Sequence, residues 1–132
     1  MEEKNIEIVK ELYRSFKEGN GHNIAQLLSH GVRWNQMVGF PGGGRYVGIT
    51  DVFQCVFAGL HSQWVDWQSD TVAFVACDNT VFVKGYYSGT HKISQKTFKV
   101  PFMGEYKIEG GMITEFNQFT DTYLIVQATV EN

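Results

Sequence analysis

Thr97-Phe98-Lys99-Val100-Pro101-Phe102-Met103-Gly104-Glu105-Tyr106-Lys107-Ile108-Glu109 alternates with a period of two. Phe98, Val100, Phe102, Tyr106 and Ile108 share one face with Gly104, whereas Lys99, Glu105 and Lys107 share the other with Pro101 and Met103. Only an extended strand sends successive side chains to opposite sides, so this is a half-buried strand whose apolar face meets a core. The same period begins at Trp64. Strands are expected near 64–76, 80–90, 97–109 and 112–121, joined by Asp78-Asn79, by a 91–96 hairpin and by Gly110-Gly111. In the final strand Ile113, Glu115, Asn117, Phe119 and Asp121 would share one face, opposite Thr114, Phe116, Gln118 and Thr120, and neither face is cleanly apolar.

Upstream the period changes. Ile6, Val9, Tyr13 and Phe16, with Ile8 and Leu12, recur at helical spacing behind Glu2 and Glu3, and Gly19-Asn20-Gly21 stops the helix. A short second helix carries Ile24, Leu27 and Leu28 and ends before Gly31; residues 32–38 read as a strand. Phe40-Pro41-Gly42-Gly43-Gly44 is a loop, since three consecutive glycines weaken either element. Thr50 then caps a third helix, with Asp51 in its first turn and Val52, Phe53, Val56, Phe57 and Leu60 on its apolar face. Helices first and an antiparallel meander after them make the class α+β, with residues 1–132 as one domain.

With 14 Asp and Glu against 11 Lys and Arg, the net charge of -3 lacks the concentrated basic face that phosphate binding needs, so nucleic acid is not an expected partner. Lys92–Lys99, the densest basic run, reads as a solvated hairpin. No apolar run is long enough to span a bilayer, and the polar start Met1-Glu2-Glu3-Lys4 leads into no signal core, so no membrane association and a cytoplasmic location are expected. Cys55 and Cys77 show no paired spacing and read as buried small apolar groups in a reducing compartment. Four scattered histidines offer no metal-binding pattern, and neither a metal nor a cofactor is expected. His91 reads as solvated at a hairpin edge, and His61 as a cation placed at a helix C-terminus. Aromatic residues make up 14% of the chain, enough to line a ligand pocket or an interface as well as a core.

Chemistry points first to Phe116-Asn117-Gln118-Phe119-Thr120-Asp121-Thr122-Tyr123, where a lone carboxylate follows aromatic residues. A carboxylate in such surroundings is costly to ionise unless hydrogen-bonded, which suits it to proton transfer. The alternative for Asp121 is a helix N-cap, with Asp-Thr opening a segment over Tyr123–Ala128 whose β-branched residues leave helix and strand both open.

The order of elements and several local patterns resemble the nuclear-transport-factor-2-like superfamily, in particular its SnoaL-like branch of polyketide cyclases and ketosteroid-isomerase-like proteins. The resemblance rests on Val9-Lys10-Glu11-Leu12-Tyr13, on Val32-Arg33-Trp34 and on Gly42 to Gly48 ahead of the third helix. It continues through Val100-Pro101-Phe102 and from Gly111-Met112-Ile113-Thr114-Glu115-Phe116 into Gln118-Phe119-Thr120-Asp121-Thr122. It implies a cone in which a strongly curved, mainly antiparallel sheet wraps three helices around a pocket. It also implies a homodimer formed through the outer sheet face, to which Phe82, Tyr86, Met103 and Phe116 would contribute.

In cyclases of that branch the Asp matching Asp121 is the acid/base of a ring closure. The resemblance therefore implies a cofactor-free cyclase or isomerase acting on an apolar, cyclic carbonyl compound, with Asp121 as the base and Tyr46 or a backbone N–H as the donor to the enolate oxygen. Trp34, Gln36, Met37, Phe102, Asn117, Phe119 and Tyr13 would line the pocket. No second inward carboxylate of the isomerase kind, and no Asp-Asp-Arg set of the related epoxide hydrolases, is legible in the chain. Two other readings use the same fold without chemistry: a ligand-binding domain and a protein-interaction module.

Overall fold

A computed structural model describes residues 1–131; Asn132, the last residue of the expected domain, lies outside them. Helix α1 (Glu2–Glu18) buries Val9, Leu12, Tyr13 and Ser15 and has Glu2 and Glu3 in its first turn. It ends at Gly19, whose φ of 65° is a left-handed cap that a residue without a Cβ adopts freely. Asn20 then caps α2 (Gly21–Leu27), accepting from the Asn23 backbone N–H at 3.1 Å.

Six strands form one sheet in the order β2-β1-β6-β5-β4-β3: β1 (Leu28–Gln36), β2 (Gly44–Val47), β3 (Trp64–Cys77), β4 (Thr80–His91), β5 (Thr97–Glu109) and β6 (Met112–Thr120). Every neighbouring pair is antiparallel except β1 with β6. The α+β class and the four long strands match the reading of the sequence. Strand β1 starts four residues earlier than expected because Leu28, assigned to the second helix, pairs with Ile113. The expected glycine loop keeps only its first part, since Gly44 opens the edge strand β2 and pairs with Gln36.

The third helical run comprises α3 (Ile49–Asp51), a π-helical segment (Val52–Phe57) and α4 (Ala58–Gln63). Gly48, not Thr50, precedes its first turn, and no side chain caps it. The π-helical turn carries Phe53 and Phe57, whose rings lie 5.3 Å apart. Helix α5 (Thr122–Thr129) closes the chain and resolves the ambiguity there in favour of helix.

Helix α1 packs against β3 and β4, so the apolar stripe of the helix and the inner faces of the strands enclose one core. On β5 the expected inner set Phe98, Val100, Phe102, Tyr106 and Ile108 is buried. Strand β6 departs from simple alternation. Lys107 pairs with Glu115 but Ile108 pairs with Ile113, so Thr114 is an extra residue on β6. Such a bulge reverses the facing of the residues beyond it. Ile113, Phe116 and Gln118 are therefore all buried, and Phe116 belongs to the core instead of the outer face where an interface was expected.

Cys55 and Cys77 are exposed free thiols, contrary to the expectation of burial. His91 is buried, its ring 5.0 Å from that of Trp64 and its Nδ1 accepting from the Ser94 N–H at 3.3 Å. It closes the hairpin from the inside instead of lying in solvent. No helix among the described residues is long and apolar enough to cross a membrane.

Candidate functional site

Between α1, the third helical run and the inner sheet face lies a cavity of about 950 Å³. Its walls are mainly rings. Phe16 comes from α1, Phe53 and Phe57 from the π-helical turn, and Trp64 and Trp67 from the start of β3. Trp34 and Phe116 reach it from adjacent strands with their rings 4.3 Å apart, and Tyr87 from β4. Lys17, Glu18, His61 and Asp66 also line the cavity, and all four are exposed. Charge is thus confined to the solvent side and the interior is neutral. Lys17 is also engaged with Asp70, at 3.4 Å.

The polar groups deeper in the cavity are neutral and paired. The Tyr13 and Tyr106 hydroxyls are 2.8 Å apart. Trp34 Nε1 donates to Gln36 Oε1 at 3.1 Å, a contact made possible because residues two apart on β1 share a face. The Met37 backbone N–H donates to Gln118 Oε1 at 3.0 Å, and Gln118 Nε2 reaches the Tyr87 hydroxyl at 3.4 Å. Burial pushes the phenols of Tyr13, Tyr87 and Tyr106 up. For Tyr13 and Tyr106, repulsion between neighbouring phenolates adds to it. All three phenols stay protonated at neutral pH and remain hydrogen-bond donors.

Of the residues expected at the site, Tyr13, Trp34 and Gln36 line this cavity. Asp121, Tyr46, Met37, Phe102, Asn117 and Phe119 do not. Asp121 lies past the end of β6 as the N-cap of α5, its Oδ1 accepting from the Leu124 N–H at 3.1 Å. Because the bulge at Thr114 turns Phe119 outward, where it is exposed, the apolar shell expected around Asp121 does not form. The Tyr46 hydroxyl donates to the Gly42 carbonyl at 2.6 Å and ties down the preceding loop, away from the cavity. Phe102 stacks behind Tyr87 with 4.1 Å between ring centres, one layer deeper than the cavity wall. Asn117 is on the outer face, donating to Glu105 and Glu115 at 2.9 Å each. Met37 acts through its backbone on Gln118, and its Sδ accepts from the Thr120 N–H at 3.4 Å.

The residues missed from the sequence are instructive. Tyr106 falls on the inner face of β5 by alternation, and Tyr87 shares the alternation of Val81 and Val83, so strand period alone suffices to place both on the cavity side. Gln118 could not be found that way, because its facing depends on the bulge. Among the described residues no group of three His, Cys, Asp or Glu side chains gathers to hold a metal.

No functionally curated protein is significantly similar in sequence. The structure is similar to that of an NTF2-like protein from Burkholderia thailandensis, with a TM-score of 0.92 and 28% identity over 96% of this chain and 97% of that one. TerC, crystallised with polyporic acid, superposes with a TM-score of 0.86 and 18% identity, over 96% of this chain and 98% of that one. A hypothetical protein with a ketosteroid isomerase-like fold from Catenulispora acidiphila, in complex with trimethylamine, gives a TM-score of 0.82 and 14% identity, over 96% and 94% of the two chains. These likenesses identify the NTF2-like fold. Residues 9–116 match the SnoaL-like domain, and with most of its length inside that match the chain belongs to the SnoaL-like domain family.

Proposed function

We propose that this chain binds a small, flat, apolar ring compound in the cavity between its helices and the inner sheet face. The observation that carries the reading is the cavity itself: about 950 Å³, walled by aromatic rings, with neutral polar groups inside and charge confined to exposed residues. Pockets of this size and lining take ligands that bury most of their surface, with a few polar groups fixing orientation. The crystallisation of a relative of the same fold with polyporic acid supports the ring-compound reading.

Binding without turnover is favoured over Asp121-based cyclase or isomerase chemistry. A general base must come within hydrogen-bond reach of the proton it takes, and the Asp121 carboxylate is engaged as a helix cap outside the cavity lining. Titration of the protein with tetralin, followed by quenching of Trp34, Trp64 and Trp67 fluorescence, tests the reading. Ala58 is exposed and lines the cavity. Ala58→Trp should weaken tetralin binding about tenfold or more while leaving the fold intact, a loss of about 1.4 kcal/mol. Equal binding by both proteins would place the ligand elsewhere and overturn the reading.

The proposed assembly is a homodimer through the outer sheet face. Phe82, Tyr86 and Met103 are exposed there, joined by Val75 beside Phe82 and by Phe119 beside Met103 in the strand register. Polar groups on that face satisfy one another, which lowers the penalty for covering them. Sedimentation at micromolar concentration should give twice the 15.0 kDa chain mass. A monomer under those conditions would refute the assembly.

A further inference from the structure

Strand β3 is interrupted close to its start. Trp64 pairs with His91 and Val65 with Thr90, but the next pairs are Gln68 with Ser88 and Ser69 with Tyr87. Asp66 and Trp67 together therefore oppose Gly89, the two-against-one pattern of a β-bulge. Asp66 carries the extra residue in its backbone, with a φ of 57° in the left-handed region. Glycine is the usual residue at such a position. Asp and Asn are the next most able to enter that region, and β-branched residues are the least able.

The consequence falls on Trp67. Strict alternation from buried Trp64 would turn Asp66 and Gln68 inward and Trp67 outward. Instead Asp66 and Gln68 are exposed, while Trp67 is half-buried and lines the cavity. Its ring lies 5.7 Å from that of Trp64, 5.1 Å from Tyr87 and 5.4 Å from Phe98. Its Nε1–H donates to Ser69 Oγ, two residues along the same face, at 3.2 Å. With residue 66 present, Trp67 belongs to the ring wall only while that residue stays left-handed.

We infer that Asp66 is a positioning residue for the cavity ligand: its left-handed backbone turns Trp67 into the ring wall, and residue 66 governs affinity through the facing of Trp67 and not through its own carboxylate. The inference deepens the binding reading above and rests on it for the ligand. Position 66 then has a conformational requirement and no charge requirement, which Asp, Asn and Gly all meet. Valine, suited to a regular strand, draws residue 66 into alternation. The facing of β3 then reverses as far as its next irregularity, between Thr71 and Ala73.

Trp64 and Trp67 supply the readout, since two indoles this close couple in far-ultraviolet circular dichroism, and Trp67→Phe identifies their couplet. Asp66→Asn and Asp66→Gly should keep the couplet and bind tetralin within about twofold of wild type. Asp66→Val should lose the couplet and bind tetralin about tenfold more weakly. Deleting residue 66 removes the insertion and the left-handed requirement together. Trp64, Val65 and Trp67 then alternate as in a regular strand, Trp67 still faces inward, and the couplet should survive. A Val variant that melts earlier yet keeps the couplet overturns the inference, as does loss of affinity in the Asn or Gly variant. Should the Val variant fail to fold, the deletion decides, and a couplet lost there overturns the inference. Any of these failures in a protein whose wild type binds tetralin leaves the binding reading standing. A wild type that does not bind tetralin overturns both.

Discussion

The two faces of one sheet handle polarity in opposite ways. Around the cavity the buried polar side chains are neutral, and each amide oxygen is held by a donor of the protein itself. On the outer face, one residue along the same strands, charges form a connected chain. Arg45 Nε donates to Asn35 at 2.9 Å, Asn35 to Asn117 at 2.7 Å, and Asn117 to both Glu105 and Glu115. Arg33 Nε meets Glu115 at 2.9 Å. The difference arises from solvent. An ion pair beside water is tolerable and worth little, whereas an ion inside a wall of rings would need a partner the cavity does not supply. A one-residue change of facing therefore decides whether a polar side chain is available to a ligand or is committed to its neighbours.

The largest contrast between the faces should come from adjacent residues of β4. A Cβ added at Gly85 would sit 2.2 Å from the Asp70 carbonyl oxygen and 2.7 Å from Phe102 Cε2, with backbone on one side and packed core on the other. Gly85→Ala should cost about 3 kcal/mol or more by chemical denaturation, while Lys84→Ala on the exposed face stays within about 0.5 kcal/mol. Equal tolerance at the two positions would mean that the inner face is not packed as described.

Alkaline pH should probe the inner face next. Burial raises the folded-state pKa of the Tyr13, Tyr87 and Tyr106 phenols, so the unfolded chain loses these protons first as pH rises. Where the unfolded state binds fewer protons, stability falls with increasing pH. Their contribution is fully present below the ordinary tyrosine pKa of about 10 and is lost above it. Thermal melts from pH 8 upward should show that decline beginning near pH 10, and Tyr87→Phe should make it shallower. A Tyr87→Phe profile identical to wild type would contradict the burial of this hydroxyl.

Asp121 gives a smaller effect that separates a cap from a base. Asp121→Ala should lose about 1 kcal/mol, whereas Asp121→Asn, an equally good cap, should stay within a few tenths. An Asn variant as unstable as the Ala variant would show that the charge, and not the cap, matters there.

The smallest effect is expected at Glu115. The hydrogen bond from Asn117 first, and Arg33 after it, hold its carboxyl below the usual glutamate range. The unfolded chain then takes up this proton first as pH falls, so the stabilisation is present above the unfolded value and disappears through the folded one. Glu115→Gln should reduce acid sensitivity below about pH 4.5 while changing neutral stability by less than about 1 kcal/mol. An unchanged acid limb would mean that the outer network does not couple to folding.

Much of this architecture was legible in the residues. The apolar stripe of α1 and the alternation of β5 are local periodicities, and each needs only a core on one side to become a helix or a strand. Tyr13, Trp34 and Gln36 could be placed at the cavity on the same terms. Strand β2 escaped because it is four residues long, opens on Gly44 and gains its identity from pairing with β1. Strict alternation through Thr114 would keep Asp121 on the face of Ile113, but the pairing with β5 inserts an extra residue there, and Asp121 lies past the strand as the N-cap of α5, the other of the two roles its sequence offers.

Residue order alone dictates the helical and strand periods, the turns at Gly19 and Gly110-Gly111, and the aromatic supply from which a cavity wall could be made. It also carries both possible roles of Asp121, since Asp-Thr at the start of a helix is a local capping signal. The choice between them is made by packing. Which side of β6 faces the rings depends on register against β5, and register is a property of two strands together. The same pairing turns Gln118 into the cavity and Asn117 out of it, leaving two amides one residue apart with opposite surroundings: one among rings, one among charges.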